Sequence, residues 1–192
     1  MIAERRAAED RTGAVQAEKG TLMRTRVKWV EQVSFVAESG SGHAVVVDGA
    51  PEAGGRNLGM RPMELLLAGA AACTAFDVVW ILKRARQPIA DCIVDAEAER
   101  APVEPRVFQR IHLRYQIAGR GLDPRQVQRA VKLSKEKYCS ATIMLAQSAE
   151  ITYEVRLVDG DRIDADAAAQ PSSNPAAGTD ASPLATSNPA SA

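Results

Sequence analysis

The sequence predicts an α+β fold in which short strands pack on a long central helix. Three patterns predict it. Apolar and polar residues alternate over residues 27–47 and again over 92–117, a nearly continuous apolar run fills residues 65–82 between them, and a last alternating segment covers 151–157. Since alternation is typical of half-buried strands, the order is three strands, a helix, two strands, two helices and one strand.

The ordered part of the chain is expected to be one domain over residues 23–159. Residues 1–22 are charged and rich in alanine without apolar periodicity, which predicts a flexible extension. Residues 160–192 consist almost entirely of Ala, Ser, Pro, Asp and Asn. Because this composition buries too little apolar surface to offset the entropy of ordering, the tail is predicted to be disordered.

The first three strands are expected to form a β-meander. Alternation places them at residues 27–29, 33–35 and 44–47, with turns at 31–32 and 39–42.

The long helix is expected to start at Pro62, because the first turn of a helix tolerates the missing N–H of proline. It runs to about Arg86 and would be roughly 35 Å long. The run is almost long enough to span a membrane, but Asp77 within it would cost about 2.5 to 3.5 kcal/mol on an insertion scale. A helix buried centrally in protein is therefore predicted, with no membrane association.

The second half is predicted to alternate strands and helices. The expected elements are strands at 92–98 and 111–117, a helix from Asp123 to about Lys137, a shorter helix at 140–147 and a last strand at 151–157.

Charge and cysteine usage limit the function. The 24 basic and 24 acidic residues cancel, and no Lys/Arg block appears, so no nucleic acid or anionic membrane is predicted as a partner. Three widely spaced cysteines without a preceding secretory signal argue against a disulfide framework and for a reducing, cytoplasmic compartment. The two histidines lack metal-ligand spacing and the glycines lack nucleotide-loop spacing, so neither a metal nor a cofactor is expected.

Two cysteines suggest redox chemistry. A cysteine attacks as the thiolate, so a reactive one needs a helix N-terminus or a nearby cation. Cys139, at the start of the shorter helix, would have the first. Cys73, deep in the long helix, needs a charge from another element, and Arg56, Arg61 and Arg106 are the candidates, which the spacing does not rank.

Core packing is the alternative for each of these residues, because buried free cysteines are common. The spacing leaves it open for Cys73 and Cys139, whereas Cys92 alternates with Val94 on an inner strand face and is expected to pack. Asp77, one turn past Cys73, either takes part in the chemistry or pairs with Lys or Arg across the core.

Two segments resemble the signatures of the OsmC/Ohr superfamily of osmotically inducible and organic-hydroperoxide-resistance proteins. They are P-x-E-L-L-L-x-x-x-A-x-C-T-x-x-D-V at residues 62–78 and L-S-x-x-K-Y-C-S at residues 133–140. The resemblance covers about residues 24–158 and is closest to the YhfA-like branch. It implies an intertwined homodimer in which antiparallel sheets from both subunits wrap long central helices.

The resemblance also implies a cysteine-based peroxidase that reduces organic hydroperoxides as part of an oxidative stress response. Cys73 matches the peroxidatic position, where attack on the distal peroxide oxygen releases an alcohol and leaves a sulfenic acid. Cys139 matches the resolving position and would form a disulfide that an external thiol reductant reopens. The two Cα atoms must then come within about 7 Å of each other.

The well-studied members of this superfamily use a glutamate and an arginine to polarise the thiolate and the peroxide. Glu64 lies nine residues before Cys73, whereas those members place the acid ten residues before, where Met63 stands here. Nine residues are two and a half helical turns, so either the helix begins irregularly or Glu64 serves elsewhere, for instance at the helix dipole. Arg61 and Arg56 are the candidate arginines.

The resemblance leaves a second possible function. A non-enzymatic protein of the same fold would bind a small apolar or thiol ligand in its dimer cavity.

Overall fold

A computed structural model describes residues 22–164. The chain divides between Gly59 and Met60 into two compact units. The predicted N-terminal extension, apart from Leu22, and most of the predicted tail lie outside the described residues.

The first unit contains the predicted β-meander. Strands β1 (Thr25–Glu31), β2 (Ser34–Ser39) and β3 (Ala44–Val47) form an antiparallel sheet in that order. Strand β1 is exposed along its whole length, and its apolar residues Val27 and Trp29 are 62% and 61% exposed. The meander is therefore confirmed, and within one chain its first strand is left uncovered.

Buried Asp48 organises the loop that follows β3. Its carboxylate accepts hydrogen bonds from the Ser34 hydroxyl at 2.7 Å and from the backbone N–H groups of Gly49, Arg56 and Leu58 at 2.8, 3.0 and 3.0 Å. These donors, Leu58 and then Ser34 foremost, lower the pKa of the Asp48 carboxyl from 3.8 to about 2. One side chain thus ties both ends of the loop to the sheet.

The second unit is built on helix α1 (Pro62–Arg84). It starts at the predicted proline, and the Glu64 carboxylate accepts the backbone N–H of Arg61 at 3.0 Å. Because this bond satisfies a donor that the first turn leaves unpaired, Glu64 caps a helix that begins regularly.

Helix α1 is buried on one face only. Its buried residues recur every fourth position, at Ala70, Thr74, Val78 and Leu82. A single chain therefore buries one face of the helix, and the predicted central burial would need a second chain, since hydropathy shows which residues avoid water but not which chain covers them.

An apolar stripe on the other side of α1 faces outward. We call it the exposed stripe; it consists of Leu66, Gly69, Ala72, Phe76 and Trp80. Phe76 and Trp80 stack with ring centroids 6.3 Å apart and are 69% and 54% exposed. By length and hydropathy α1 is also the one helix among residues 22–164 that could cross a membrane, which is weak evidence because core helices of soluble proteins share these properties.

The second sheet contains β4 (Asp91–Arg100), β5 (Phe108–Ala118) and β6 (Glu150–Val158). The β4–β5 pair is the predicted antiparallel hairpin, but β6 runs parallel to β5. The expectation of antiparallel sheets alone is therefore wrong for this pair. Parallel neighbours require a crossover connection, and the two helices between β5 and β6 supply it.

That crossover carries helix α2 (Pro124–Leu133), a π-helical turn (Ser134–Tyr138) and helix α3 (Ser140–Leu145). The Asp123 side chain accepts the N–H of Arg125 at 2.8 Å, which confirms the predicted N-cap. The helix predicted as far as Lys137 ends earlier because the π turn replaces its last residues.

The core of the second unit lies between the sheet and the helices. Buried side chains of β5 pack with those of α1 and α2 and exclude solvent. Beyond β6, Ile163 in the segment predicted as a tail is buried, and its N–H donates to Asp91 at 3.0 Å.

Candidate active site

The fold brings the two motif cysteines together. Cys73 lies midway along α1, and Cys139, 66 residues later, precedes α3. The sulfur atoms of both residues and a carboxylate oxygen of Asp77 lie within 4.8 Å of one another. All three cysteines of the described chain are unpaired thiols, so this pair is in its reduced form.

Cys73 is the accessible member of the pair. It is partly exposed, whereas Cys139 is fully buried. One turn earlier on α1, a Cβ added to Gly69 would meet nothing within 4 Å. There is therefore open space on the helix surface one turn before Cys73.

Cys139 is held by the first turn of α3. Its sulfur accepts the N–H of Thr142 at 3.5 Å, while the Thr142 hydroxyl donates to the Cys139 carbonyl at 3.1 Å. Burial nevertheless raises the pKa of the Cys139 thiol, outweighing the Thr142 hydrogen bonds that lower it, and the neighbouring Cys73 raises it further. The hydrogen bonds at the start of α3 thus favour the thiolate as expected, but burial outweighs them and the net shift of the Cys139 pKa is upward.

A chain of buried hydroxyl groups runs beside the sulfur pair. The Tyr115 hydroxyl lies 2.7 Å from the Thr74 hydroxyl, which lies 2.9 Å from that of Ser134. Ser134 in turn donates to Oδ2 of Asp77 at 3.0 Å. Tyr115, Thr74 and Ser134 are each at most 1% exposed, so this hydroxyl chain is sealed from solvent.

The hydroxyl chain has a fixed direction. Each hydroxyl carries one proton, and Ser134 gives its proton to Asp77. Thr74 must then donate to Ser134, and Tyr115 to Thr74. Burial raises the pKa of Tyr115 to about 12, which keeps its phenol protonated as a donor. All three dipoles consequently point toward the Asp77 carboxylate.

The π turn places the partners of this chain. The N–H of Cys139 bonds to the carbonyl of Ser134 at 2.8 Å, five residues back. Within this wider turn Ser134 faces Thr74 and Asp77, and Cys139 lies at the start of α3. Single π turns recur at functional sites for this reason.

Asp77 was predicted either to take part in the chemistry or to pair with Lys or Arg. The partner that the structure gives it is the neutral Ser134 hydroxyl. Its carboxylate therefore stays close to the sulfur pair rather than turning to a cation across the core.

The candidate acid, Arg61 and Arg56 form ion pairs, and the third arginine bonds a carboxylate through its backbone N–H. Arg61 and Glu64 form an ion pair at 3.5 Å at the start of α1. Arg56 pairs with Glu31 within the first unit. Arg106 lies between β4 and β5, where its N–H donates to Glu104 at 3.2 Å. The cap formed by Glu64 fits the alternative that this residue serves elsewhere, and a role for any of them in polarising Cys73 stays a prediction.

Cys92 lies apart from this chemistry. It packs against the core of the second unit, and burial, then the Asp91 carboxylate, raise its pKa from 9.0 to about 11. The packing role predicted for it agrees with this environment.

Sequence reasoning missed the roles of Thr74, Ser134 and Tyr115. A signal existed for the first two, because both belong to the motif segments, and Thr74 is in addition a hydroxyl residue in an apolar helix. Nothing marked Tyr115, which only alternates with polar residues along a strand.

The comparisons with known proteins agree with this arrangement. Residues 54–154 match the family model described as OsmC-like protein. The chain is 43% identical over 139 residues to protein YhfA of Escherichia coli K12, with 71% of this chain and 98% of YhfA covered. The chain belongs to the OsmC family. Its relationship to YhfA places it in the YhfA-like branch of that family.

Solved OsmC structures share the fold. An OsmC-like protein from Mycoplasma pneumoniae superimposes with a TM-score of 0.63 at 19% identity, over 73% of this chain and 99% of its own. A Legionella pneumophila protein, described as an organic hydroperoxide resistance protein OsmC and predicted redox protein, gives a TM-score of 0.55 at 15% identity, over 72% and 98% of the two chains. These likenesses establish the OsmC fold.

Proposed function

We propose that this protein is a cytoplasmic thiol peroxidase that reduces organic hydroperoxides, with Cys73 as the attacking and Cys139 as the resolving cysteine. The observation that carries the proposal is the pair of reduced sulfurs side by side, one partly exposed and one buried. A neighbour of the same fold is described as an organic hydroperoxide resistance protein, which supports the choice of oxidant.

In the first step the Cys73 thiolate attacks the distal oxygen of the hydroperoxide. The O–O bond breaks, the sulfur is oxidised to a sulfenic acid, and the alkoxide takes a proton and leaves as the alcohol. The partial exposure of Cys73 gives the substrate access to its sulfur.

In the second step the Cys139 sulfur attacks the sulfenic sulfur of Cys73. The new S–S bond displaces hydroxide, which leaves as water with the proton that Cys139 loses. Two external thiols then reduce the disulfide in successive exchanges and are themselves oxidised to a disulfide. Because the sulfurs already lie within 4.8 Å of each other, bond formation requires only a small side-chain movement.

The assembly we propose is a homodimer. The exposed stripe of α1 presents contiguous apolar side chains to solvent in a single chain, and a surface of this kind marks an interface. Within the first unit, strand β1 is exposed along its whole length as well.

The test is direct mapping of the cysteines. The reduced protein is treated with a small excess of tert-butyl hydroperoxide, alkylated and digested, and its peptides are identified by mass spectrometry. We expect a Cys73–Cys139 disulfide within the first turnover. Cys73→Ser should abolish it, and Cys139→Ser should leave a Cys73 sulfenic acid that dimedone traps.

Cys92→Ser is the matched control, because Cys92 is also a partly buried thiol of the second unit but lies outside the pair. It should form the disulfide as fast as the wild type. If both motif cysteines stay reduced after excess hydroperoxide, the peroxidase proposal fails and the non-enzymatic binding protein becomes the better explanation.

A further inference from the structure

We propose that Cys73, Asp77 and Cys139, in the reduced protein, form a binding site for a thiophilic divalent cation of the Zn²⁺ class. The proposal goes beyond the peroxidase function and does not depend on it. It concerns the same three side chains before any oxidation, and we call them the metal triad.

The ligand set favours zinc over the hard cations. Thiolate sulfur selects Zn²⁺ and related ions, whereas Mg²⁺ and Ca²⁺ take oxygen ligands alone. Two sulfurs and one carboxylate supply three ligands, and the fourth tetrahedral position is left for water or a small ligand, as in zinc sites that are not closed.

The distances between the donor atoms fit a site in which these atoms move closer together when the ion binds. With Zn–S bonds of about 2.3 Å and Zn–O bonds of about 2.0 to 2.2 Å, neighbouring ligand atoms in a tetrahedron lie roughly 3.3 to 3.8 Å apart. The three donor atoms of the metal triad lie within 4.8 Å of one another. Side-chain movements of about 1 Å therefore bring them to coordination distance.

Two of the three ligands are placed by one helix. Cys73 and Asp77 are four residues apart on α1, and side chains at this spacing lie on the same face, one turn apart. Cys139 is placed by the first turn of α3, where the Thr142 N–H holds its sulfur.

The surroundings orient the carboxylate as the outer groups of metal sites do. Ser134 donates to Oδ2 of Asp77, which leaves the other oxygen for a cation. The hydroxyl chain behind Ser134, through Thr74 to Tyr115, fixes the direction of this bond. Partners of this kind set the rotamer and basicity of metal ligands.

A divalent cation would replace the protons of the two thiols. The two sulfurs and the Asp77 carboxylate lie within 4.8 Å of one another, and cysteines ligate Zn²⁺ as thiolates, so binding of the ion releases their protons. The partly exposed Cys73 side gives the ion a route of entry.

The test uses Co²⁺ as a spectroscopic substitute for Zn²⁺. Full-length protein without a histidine tag is reduced, freed of reductant without oxygen and titrated with Co²⁺. We expect one equivalent per chain to produce a sulfur-to-cobalt charge-transfer band with the visible bands of tetrahedral cobalt. Added Zn²⁺ should displace Co²⁺ and so remove both the charge-transfer band and the visible bands.

Variants assign the ligands. Cys73→Ser and Cys139→Ser should each lose most of the charge-transfer intensity, and Asp77→Asn should weaken Zn²⁺ binding at least about tenfold in competition with a chromophoric chelator. Ser134→Ala should weaken it by about 10 to 100 times, the range for loss of an orienting partner. Cys92→Ser, the matched control, should titrate like the wild type, and a circular dichroism melt checks that every variant is folded.

The proposal is overturned if folded, reduced wild type gives no charge-transfer band. It is equally overturned if Asp77→Asn binds as tightly as the wild type, or if Cys92→Ser loses as much intensity as Cys73→Ser. Peroxide mapping is repeated with a metal chelator present. If the disulfide forms but cobalt does not bind, only the metal-site proposal is refuted. If cobalt binds but no disulfide forms, only the peroxidase proposal is refuted.

Discussion

Thr74 connects the two halves of the buried hydroxyl chain, although the residue that carries the proposed chemistry is its neighbour Cys73. Its hydroxyl is the only link between Tyr115 and Ser134 that the second unit shows, and all three groups are buried. A buried donor or acceptor left without a partner destabilises the fold by more than a typical hydrogen bond stabilises it. The stability of the hydroxyl chain therefore depends on Thr74.

We therefore expect Thr74→Val to lower the free energy of unfolding of the reduced protein by about 1 to 3 kcal/mol, because a side chain of the same shape leaves the Tyr115 and Ser134 hydroxyls without their shared partner. Thr74→Ser keeps the hydroxyl and should lose much less. Urea unfolding of both variants measures the difference. Equal stabilities of the two variants would show that the hydroxyl contributes nothing.

The burial of the two sulfurs separates their proposed roles. The partly exposed Cys73 can meet a substrate, while Cys139 is enclosed and its raised pKa keeps it protonated at neutral pH. A thiol of this kind reacts slowly with peroxide from solution and is protected until its neighbour is oxidised.

At the scale of elements, the loop after β3 depends on one carboxylate. Asp48 is the shared acceptor for two backbone donors of the loop, Arg56 and Leu58, and for Ser34 on β2. Its lowered pKa has a definite consequence for stability. The contribution is fully present above about pH 4, where the unfolded chain is also ionised, and is lost as the pH falls through about 2.

Asp48→Asn should accordingly lower the urea midpoint at neutral pH, and the gap between variant and wild type should narrow as the pH falls from about 4 to 2. Unfolding curves over this pH range test it. Glu52→Gln changes an exposed carboxylate of the same loop and should shift the midpoint little at any pH. A gap for Asp48→Asn that is constant with pH would contradict the role given to the ionised form.

The elements also show where sequence patterns suffice. The meander, the start of α1 at Pro62 and the N-cap at Asp123 were predicted because each is determined by residues close in sequence. The parallel pairing of β6 was not, since strand direction depends on how a crossover folds back. The π turn was missed because its residues fit an α-helical pattern equally well.

The candidate site likewise has one part that the sequence could predict and another that it could not. The pairing of Cys73 with Cys139 could be anticipated from two motifs. The link between Asp77 and Ser134 could not, because it joins residues 57 positions apart and no local spacing encodes it. For Glu64, the offset of nine residues from Cys73 left a use elsewhere open, and the hydrogen bond that caps the helix fits that alternative.

At the scale of the whole molecule, the exposed stripe of α1 argues for a second chain. Trp80→Asp places a charge on the surface that a dimer would bury, where an unpaired charge is costly. We expect the wild type to sediment as a dimer at micromolar concentration and Trp80→Asp as a monomer. Gln128→Glu adds one negative charge at an exposed site on α2 and should remain dimeric. A monomeric wild type would contradict the proposed assembly.

The proximity of the two sulfurs has a consequence for the stability of the protein as a whole. A bond between Cys73 and Cys139 would close a ring of chain that encloses β4, β5 and α2, most of the second unit. Closing a ring of this size removes chain entropy from the unfolded state worth about 4 kcal/mol in the usual polymer estimate. Oxidation and folding are then thermodynamically coupled, so the protein would be most resistant to unfolding just after it has consumed a peroxide.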